Sequence, residues 1–166
     1  VKAVYPGSFD PATNGHLDIL TRAARVFDTV LVTVARNPAK TPLFTMDERM
    51  AMLQVATAGL PNIEVHSFDG LLIEFVQVHG AQVIVKGLRA MSDFENEFQM
   101  ALMNKKLEPT VETMFMMTAN AHSYLSSSVV KELARLGGCV TGLVPDVVEE
   151  QLKIRFAEEY GGRKKG

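Results

Sequence analysis

Ten residues near the start of the chain, Gly7-Ser8-Phe9-Asp10-Pro11-Ala12-Thr13-Asn14-Gly15-His16, set hydroxyls and an imidazole among turn-forming residues. Gly7 and Pro11 force a turn, Thr13 or Asn14 can cap a following helix, and Gly15 keeps the backbone approachable. His16 then falls in the first helical turn, where free N–H groups and the positive end of the dipole favour an anion. The pattern reads as a phosphate site, although an ordinary strand-to-helix turn with His16 on the surface would have similar residues. It is neither the Gly-x-Gly-x-x-Gly fingerprint nor a P-loop.

Further polar groups add to this stretch. Lys40 lies in a polar loop, Lys86 and Arg89 flank Gly87-Leu88, and Ser126, Ser127 and Ser128 stand together. Arginine offers phosphate a bidentate fork and lysine a point charge. Three hydroxyls at a helix start form a neutral anion cradle, whereas a plain N-cap needs one serine. His66, His79 and His122 lack metal-ligand spacing, and His122 is close enough in sequence to the serines to reach the same pocket. No Ser/His/Asp arrangement or glycosidase carboxylate pair stands out. Cations and hydroxyls without a nucleophile suit direct phosphoryl or nucleotidyl transfer, with the attacking group supplied by substrate.

Such groups converge only if the elements place them at one edge. Apolar periodicity predicts strands near 3–5, 29–35, 63–66, 81–85 and 111–118. Helices are expected at 17–27, 45–59, 71–79, 92–106 and 126–136, with a last one starting at Pro145. Thr45-Met46-Asp47-Glu48 reads as a capping box and Gly80 as a stop. Asp93, Glu95 and Glu97 give the fourth helix an acidic first turn, and Lys105 and Lys106 a basic last one. Alternation of this kind implies an α/β fold: a single-domain, doubly wound, parallel five-stranded sheet with helices on both faces. Ligands then bind beyond the strands' carboxyl ends, where Gly7–His16, Lys40, Asp69-Gly70, Lys86 to Arg89 and Ser126–Ser128 all fall. The domain is expected over 1–160, with 161–166 a disordered tail.

Composition narrows the class. The 166 residues are 47% hydrophobic and 22% charged, with a net charge of −2. That balance describes a globular protein without the basic field of a nucleic-acid binder. The single Cys139 excludes an internal disulfide and is expected to be a small buried hydrophobe. Met114, Met116 and Met117 are expected to fill core. With no membrane-length apolar run and no signal-peptide pattern, the expected location is cytoplasmic.

Gly7-Ser8-Phe9-Asp10-Pro11 with Thr13-Asn14-Gly15-His16 resembles the first signature of the nucleotidyltransferase superfamily, and Leu125-Ser126-Ser127-Ser128-Val129-Val130-Lys131 resembles its second. The Lys40 loop and Lys86-Gly87-Leu88-Arg89-Ala90 with Asp93-Phe94-Glu95 are similar to the bacterial phosphopantetheine adenylyltransferase family, from Val4 to beyond Pro145. The resemblance implies a Rossmann-like nucleotidyltransferase fold and transfer of AMP from ATP to 4′-phosphopantetheine. The products would be dephospho-coenzyme A and pyrophosphate, formed by in-line attack with Mg²⁺ held mainly by substrate phosphates.

It further implies that Ser8 orients the attacking phosphate, His16 stabilises the transition state, and Lys40 holds phosphates of both substrates. Lys86 would bind the phosphopantetheine phosphate, and Arg89, Ser127 and Ser128, beside Ser126, the ATP β- and γ-phosphates. Glu97 would lie near the nucleotide, with Gly7, Phe9 and Tyr124 lining its pocket and Leu71 and Leu72 lining the pantetheine arm. The family is a homohexamer inhibited by coenzyme A. Here Ser8 stands where many members have Thr, and Lys86 where Arg is frequent. Two alternatives remain: a sister transferase acting on nicotinate mononucleotide or glycerol 3-phosphate, and a nucleotide sensor without catalysis.

Overall fold

The computed structural model describes residues 1–89 and 94–163, with backbone course only from 158 on. Five strands form one sheet: β1 (Lys2–Gly7), β2 (Thr29–Ala35), β3 (Ile63–Phe68), β4 (Val83–Leu88) and β5 (Glu112–Met117). Their order is β3-β2-β1-β4-β5 and every pairing is parallel, with Val4 level with Leu31 on one side and Ile84 on the other. The chain winds outward from β1 to β3, crosses over, and continues through β4 to β5. The switch in direction lies between β1 and β4, where an open α/β sheet forms its ligand crevice.

The helices are α1 (Asn14–Val26), α2 (Met46–Ala56), α3 (Leu72–Val78), α4 (Phe94–Leu107), α5 (Ser127–Arg135) and α6 (Asp146–Arg163). Side chains alternate across the sheet. Ala3, Tyr5, Val30, Val32 and Val85 pack with Ile19 and Leu20 of α1 and Leu53 of α2. Val4, Leu31 and Ile84 pack on the opposite face with Ile73 and Val76 of α3. Full burial of each such aliphatic side chain stabilises by about 1.5–3 kcal/mol. A separate cluster joins Phe44 to Val130 of α5 and Leu152 of α6, fixing the loop before α2 against the C-terminal helices.

Several expectations change. β3 runs to Phe68, and β4 continues through Lys86, Gly87 and Leu88, whose partners on β5 are Phe115, Met116 and Met117. Lys86 therefore stands on a strand, not on a loop, because neighbouring backbone extends the ladder past the local apolar run. The second helix stops at Ala56 instead of near Gly59. The last helix continues through Arg163, beyond the expected end of the domain at 160. Ala90, Ser92, Asp93 and the terminal Lys164 and Lys165 lie outside the described residues. Cys139 is exposed, not buried. Met114 and Met117 are also exposed, Met117 at 67%, and of the three methionines only Met116 packs against the core. β5 is an edge strand with a neighbour on one side only, so its side chains are incompletely covered.

Candidate active site

The loop after β1 is fixed from both ends. Thr13 caps α1, its Oγ1 accepting from the His16 backbone N–H while the Thr13 backbone N–H donates to His16 Nδ1 at 2.9 Å. Histidine thus takes the acceptor position that Glu or Gln occupies in an ordinary capping box. Burial, and then the positive charge of Arg89, lower the His16 pKa from 6.5 to about 4. The ring is neutral at pH 7, and with Nδ1 accepting, the proton resides on Nε2. His16 is a fixed neutral donor.

Phe9 sets the ring's back wall. Its backbone adopts a left-handed φ of 46°, a conformation costing about 1 kcal/mol or more for a bulky residue. The Phe9 ring is buried edge-on against Tyr5 at 5.5 Å and His16 at 4.9 Å. A Cβ at Gly7 would lie 3.0 Å from Phe9 Cζ, so a side chain there would press on that ring. Gly15 packs against the turn at Asn120–His122, where a Cβ would make an ordinary contact 3.6 Å from His122 Cβ.

Asp10 anchors the other side. Its buried carboxylate accepts from Leu43 N at 2.8 Å and Phe44 N at 2.9 Å, with Lys131 Nζ at 3.3 Å. This holds the loop carrying Lys40 against the β1 loop. Arg49, 6% exposed on α2, donates from Nη1 to Ser8 O at 2.9 Å and from Nε to Thr45 O at 3.3 Å.

Two cavities open at the carboxyl edge. The larger, about 420 Å³, includes Ser8, Asp10, Lys40, Arg49 and Lys131 in its lining. The smaller, about 240 Å³, is lined by His16, Arg89, His122 and Ser126 among others. Both share Ser127 and Ser128, at the amino end of α5. Ser126 Oγ caps the helix by accepting from Val129 N, and Ser127 Oγ donates to Pro11 O at 2.7 Å. Of the three hydroxyls, only Ser127 spends its O–H on the loop, at Pro11; Ser126, which accepts at the cap, and Ser128 keep their O–H donors for an anion beside the first-turn N–H groups.

His16, Ser8, Lys40, Arg89 and the three serines thus come together, and His122 joins them. Seven other expected residues do not line either cavity. Gly7 and Phe9 lie behind the site as support. Lys86 and Glu97 face each other at 3.5 Å. Tyr124 is 75% exposed. Leu71 lines a separate recess with His66 and Phe75, and Leu72 packs on the α3-side core. Sequence reasoning missed Arg49, Lys131 and the anchoring role of Asp10. Arg49 had a signal: it occupies an apolar position of α2, between Met46 and Leu53 at helical spacing.

A doubly wound sheet with a glycine-bearing first loop, a neutral histidine at the following helix start and a second hydroxyl-bearing helix start is the architecture of a nucleotidyltransferase. Comparison with known proteins agrees. Residues 4–133 match the family model described as cytidylyltransferase-like. A phosphopantetheine adenylyltransferase from Carboxydothermus hydrogenoformans is 58% identical over 157 residues, covering 95% of this chain and 97% of that protein. The Clostridium tetani protein of the same name is 58% identical over 150 residues, covering 90% and 94%. A solved Vibrio parahaemolyticus structure, assigned as a nicotinate-nucleotide adenylyltransferase, shares the fold at TM-score 0.65 and 16% identity, covering 92% of this chain and 91% of the other. The chain belongs to the cytidylyltransferase-like family, with phosphopantetheine adenylyltransferases among its near relatives.

Proposed function

We propose that the protein transfers AMP from ATP to 4′-phosphopantetheine, forming dephospho-coenzyme A and pyrophosphate on the route to coenzyme A. The observation that carries this reading is a neutral His16, with Nε2–H as its donor, in a cavity sharing Ser127 and Ser128 with a cation-lined neighbour. The acceptor phosphate enters beside Ser8 and Lys40 and attacks the α-phosphate in line. His16 donates to a non-bridging α-phosphate oxygen as charge builds there, and neither gains nor loses its own proton. Arg89 and the amino end of α5 hold the departing pyrophosphate. Lys86 serves the acceptor phosphate and Glu97 the nucleotide, once their mutual pair opens. Leu71 and Leu72 border the pantetheine arm, and Tyr124 the nucleotide.

Mg²⁺ enters with ATP on its phosphates, because the carboxylate lining the larger cavity, Asp10, is already held by two backbone N–H groups and Lys131. Coenzyme A, which contains the acceptor arm and an adenylyl group, competes for the same site. The reaction takes place in the cytoplasm, in a homohexamer. Self-association is supported by the exposed Phe94, Phe98, Leu102 and Met103 of α4, with Met114 and Met117 of β5. Phe98→Glu should lower the sedimentation coefficient toward that of a smaller assembly; an unchanged assembly would remove α4 from the interface.

The test is pyrophosphate release from MgATP with 4′-phosphopantetheine, nicotinate mononucleotide or no acceptor. Release that depends on phosphopantetheine is expected. Release with nicotinate mononucleotide alone would keep the class and overturn the substrate, and silence with all acceptors despite tight ATP binding would indicate a sensor.

A further inference from the structure

Arg49 poses an electrostatic problem that the protein alone does not solve. Arg49 is 6% exposed, and a cation so little hydrated is costly unless an anion faces it. No carboxylate lies within 4.0 Å of it among the described residues. Asp10 is engaged by Leu43, Phe44 and Lys131, and neighbouring Glu48 by Arg155 at 2.7 Å. The protein partners of Arg49 are two neutral carbonyls, Ser8 O and Thr45 O. A guanidinium carries five N–H donors, and this one lines the larger cavity. Arg36, Lys40, Arg49 and Lys131 line that cavity against the single carboxylate of Asp10.

We propose that Arg49 is the buried counter-charge for a phosphate group of bound substrate, holding Ser8 by its carbonyl and the phosphate by its remaining N–H groups. The inference rests on the transferase reading above. The ligand chemistry is a phosphomonoester or a pyrophosphate, supplied by the acceptor or by the ATP tail. Arginine suits both contacts because its planar fork can bond two acceptors in fixed directions.

The test is calorimetric binding of inorganic pyrophosphate, 4′-phosphopantetheine and unphosphorylated pantetheine to the wild type, Arg49→Gln and Arg49→Lys. Arg49→Gln should weaken pyrophosphate or phosphopantetheine at least tenfold, the affected ligand identifying the source, while pantetheine changes less than twofold. The loss should persist in a Ser8→Ala background; if it vanishes there, Arg49 acts only through Ser8 and the proposal fails. Unchanged binding of both phosphate ligands, or an equal loss for pantetheine, would also overturn it. Should Arg49→Gln not fold, Arg49→Lys decides: it keeps the charge but cannot span Ser8 O and a phosphate together. At least threefold weaker binding of one phosphate ligand is then expected, and wild-type binding of both refutes the proposal. Pyrophosphate binding is read without turnover, so failure here is distinct from failure of the wild type to use phosphopantetheine.

Discussion

Replacing His16 by alanine removes two interactions that can be separated. The first is the acceptor for the Thr13 backbone N–H, half of the α1 capping box, while Thr13 Oγ1 keeps its bond from the backbone of residue 16. Losing a cap contact costs about 1 kcal/mol, which for a domain of this size lowers Tm by about 2–4 °C. The second, on the proposed mechanism, is the Nε2–H donor to charge that develops in the transition state. Loss of one pre-aligned donor in a water-poor site costs about 3–4 kcal/mol, a fall in kcat of about 10²–10³-fold. The KM for ATP should change little, because the cations hold the ground state. Steady-state pyrophosphate release, normalised to folded protein, measures this. His16→Gln can offer its amide oxygen to Thr13 and an N–H outward, and should recover the cap and part of the rate. Since His16 is neutral above about pH 4, wild-type kcat should show no acid limb from this residue between about pH 5.5 and 8. A preserved kcat with a raised KM would refute the reasoning and make His16 a ground-state binder.

Three further outcomes follow from the same contacts. Between pH 6.5 and about 4 the unfolded chain protonates His16 while the folded protein resists. Stability is therefore complete above that window and declines as pH falls through it, by at most about 3 kcal/mol; denaturant titrations at several pH values should show a steeper loss in the wild type than in His16→Ala. Asp10→Asn leaves one oxygen for two backbone donors and unpairs Lys131. It should cost about 2–4 kcal/mol and expose the Lys40 loop to proteolysis, and an unchanged cleavage rate would argue against the anchor. Gly7→Ala should push the Phe9 ring toward His16, destabilising by about 1–3 kcal/mol and lowering kcat together with Tm; a change in Tm alone would separate Phe9 from catalysis.

The strands and most helices were legible because their signals are local. A β-branched run marks β2, and Thr-x-x-Glu marks the start of α2. The turn after β1 and the cap that fixes His16 were legible for the same reason, since they fall within ten residues. What failed depended on neighbours. The extent of β4 is set by β5, the role of Ser127 Oγ by Pro11, and the exposure of Met117 by its place on an edge strand. Arg49 was missed because a charge on a helix normally reads as a solvated face. Only its position on the stripe with Met46 and Leu53 marks it as buried. Lys131 was quoted within its motif without the partner, Asp10, that lies 121 residues away.

The distribution of charge suits a transfer enzyme better than a nucleotide-holding protein. Arg36, Lys40, Arg49 and Lys131 line the larger cavity, and on the proposed function they would attract phosphates before and after reaction alike and so govern affinity. His16, in the lining of the smaller cavity, is kept uncharged by burial and by Arg89. A cationic His16 would bind ground-state phosphate strongly and raise the barrier to product release. A neutral donor binds the substrate oxygen weakly and strengthens its bond as negative charge accumulates on that oxygen, which is the differential that accelerates a reaction. A sensor would gain from the charged form and has no use for this arrangement. Moving the His16 pKa upward should therefore tighten nucleotide binding while slowing turnover. Arg89→Gln relieves the charge that depresses it but removes a phosphate contact, so the informative reading is the ratio of effects. A loss in kcat exceeding the loss in ATP affinity would support the separation of roles, and affinity loss without a change in kcat would contradict it.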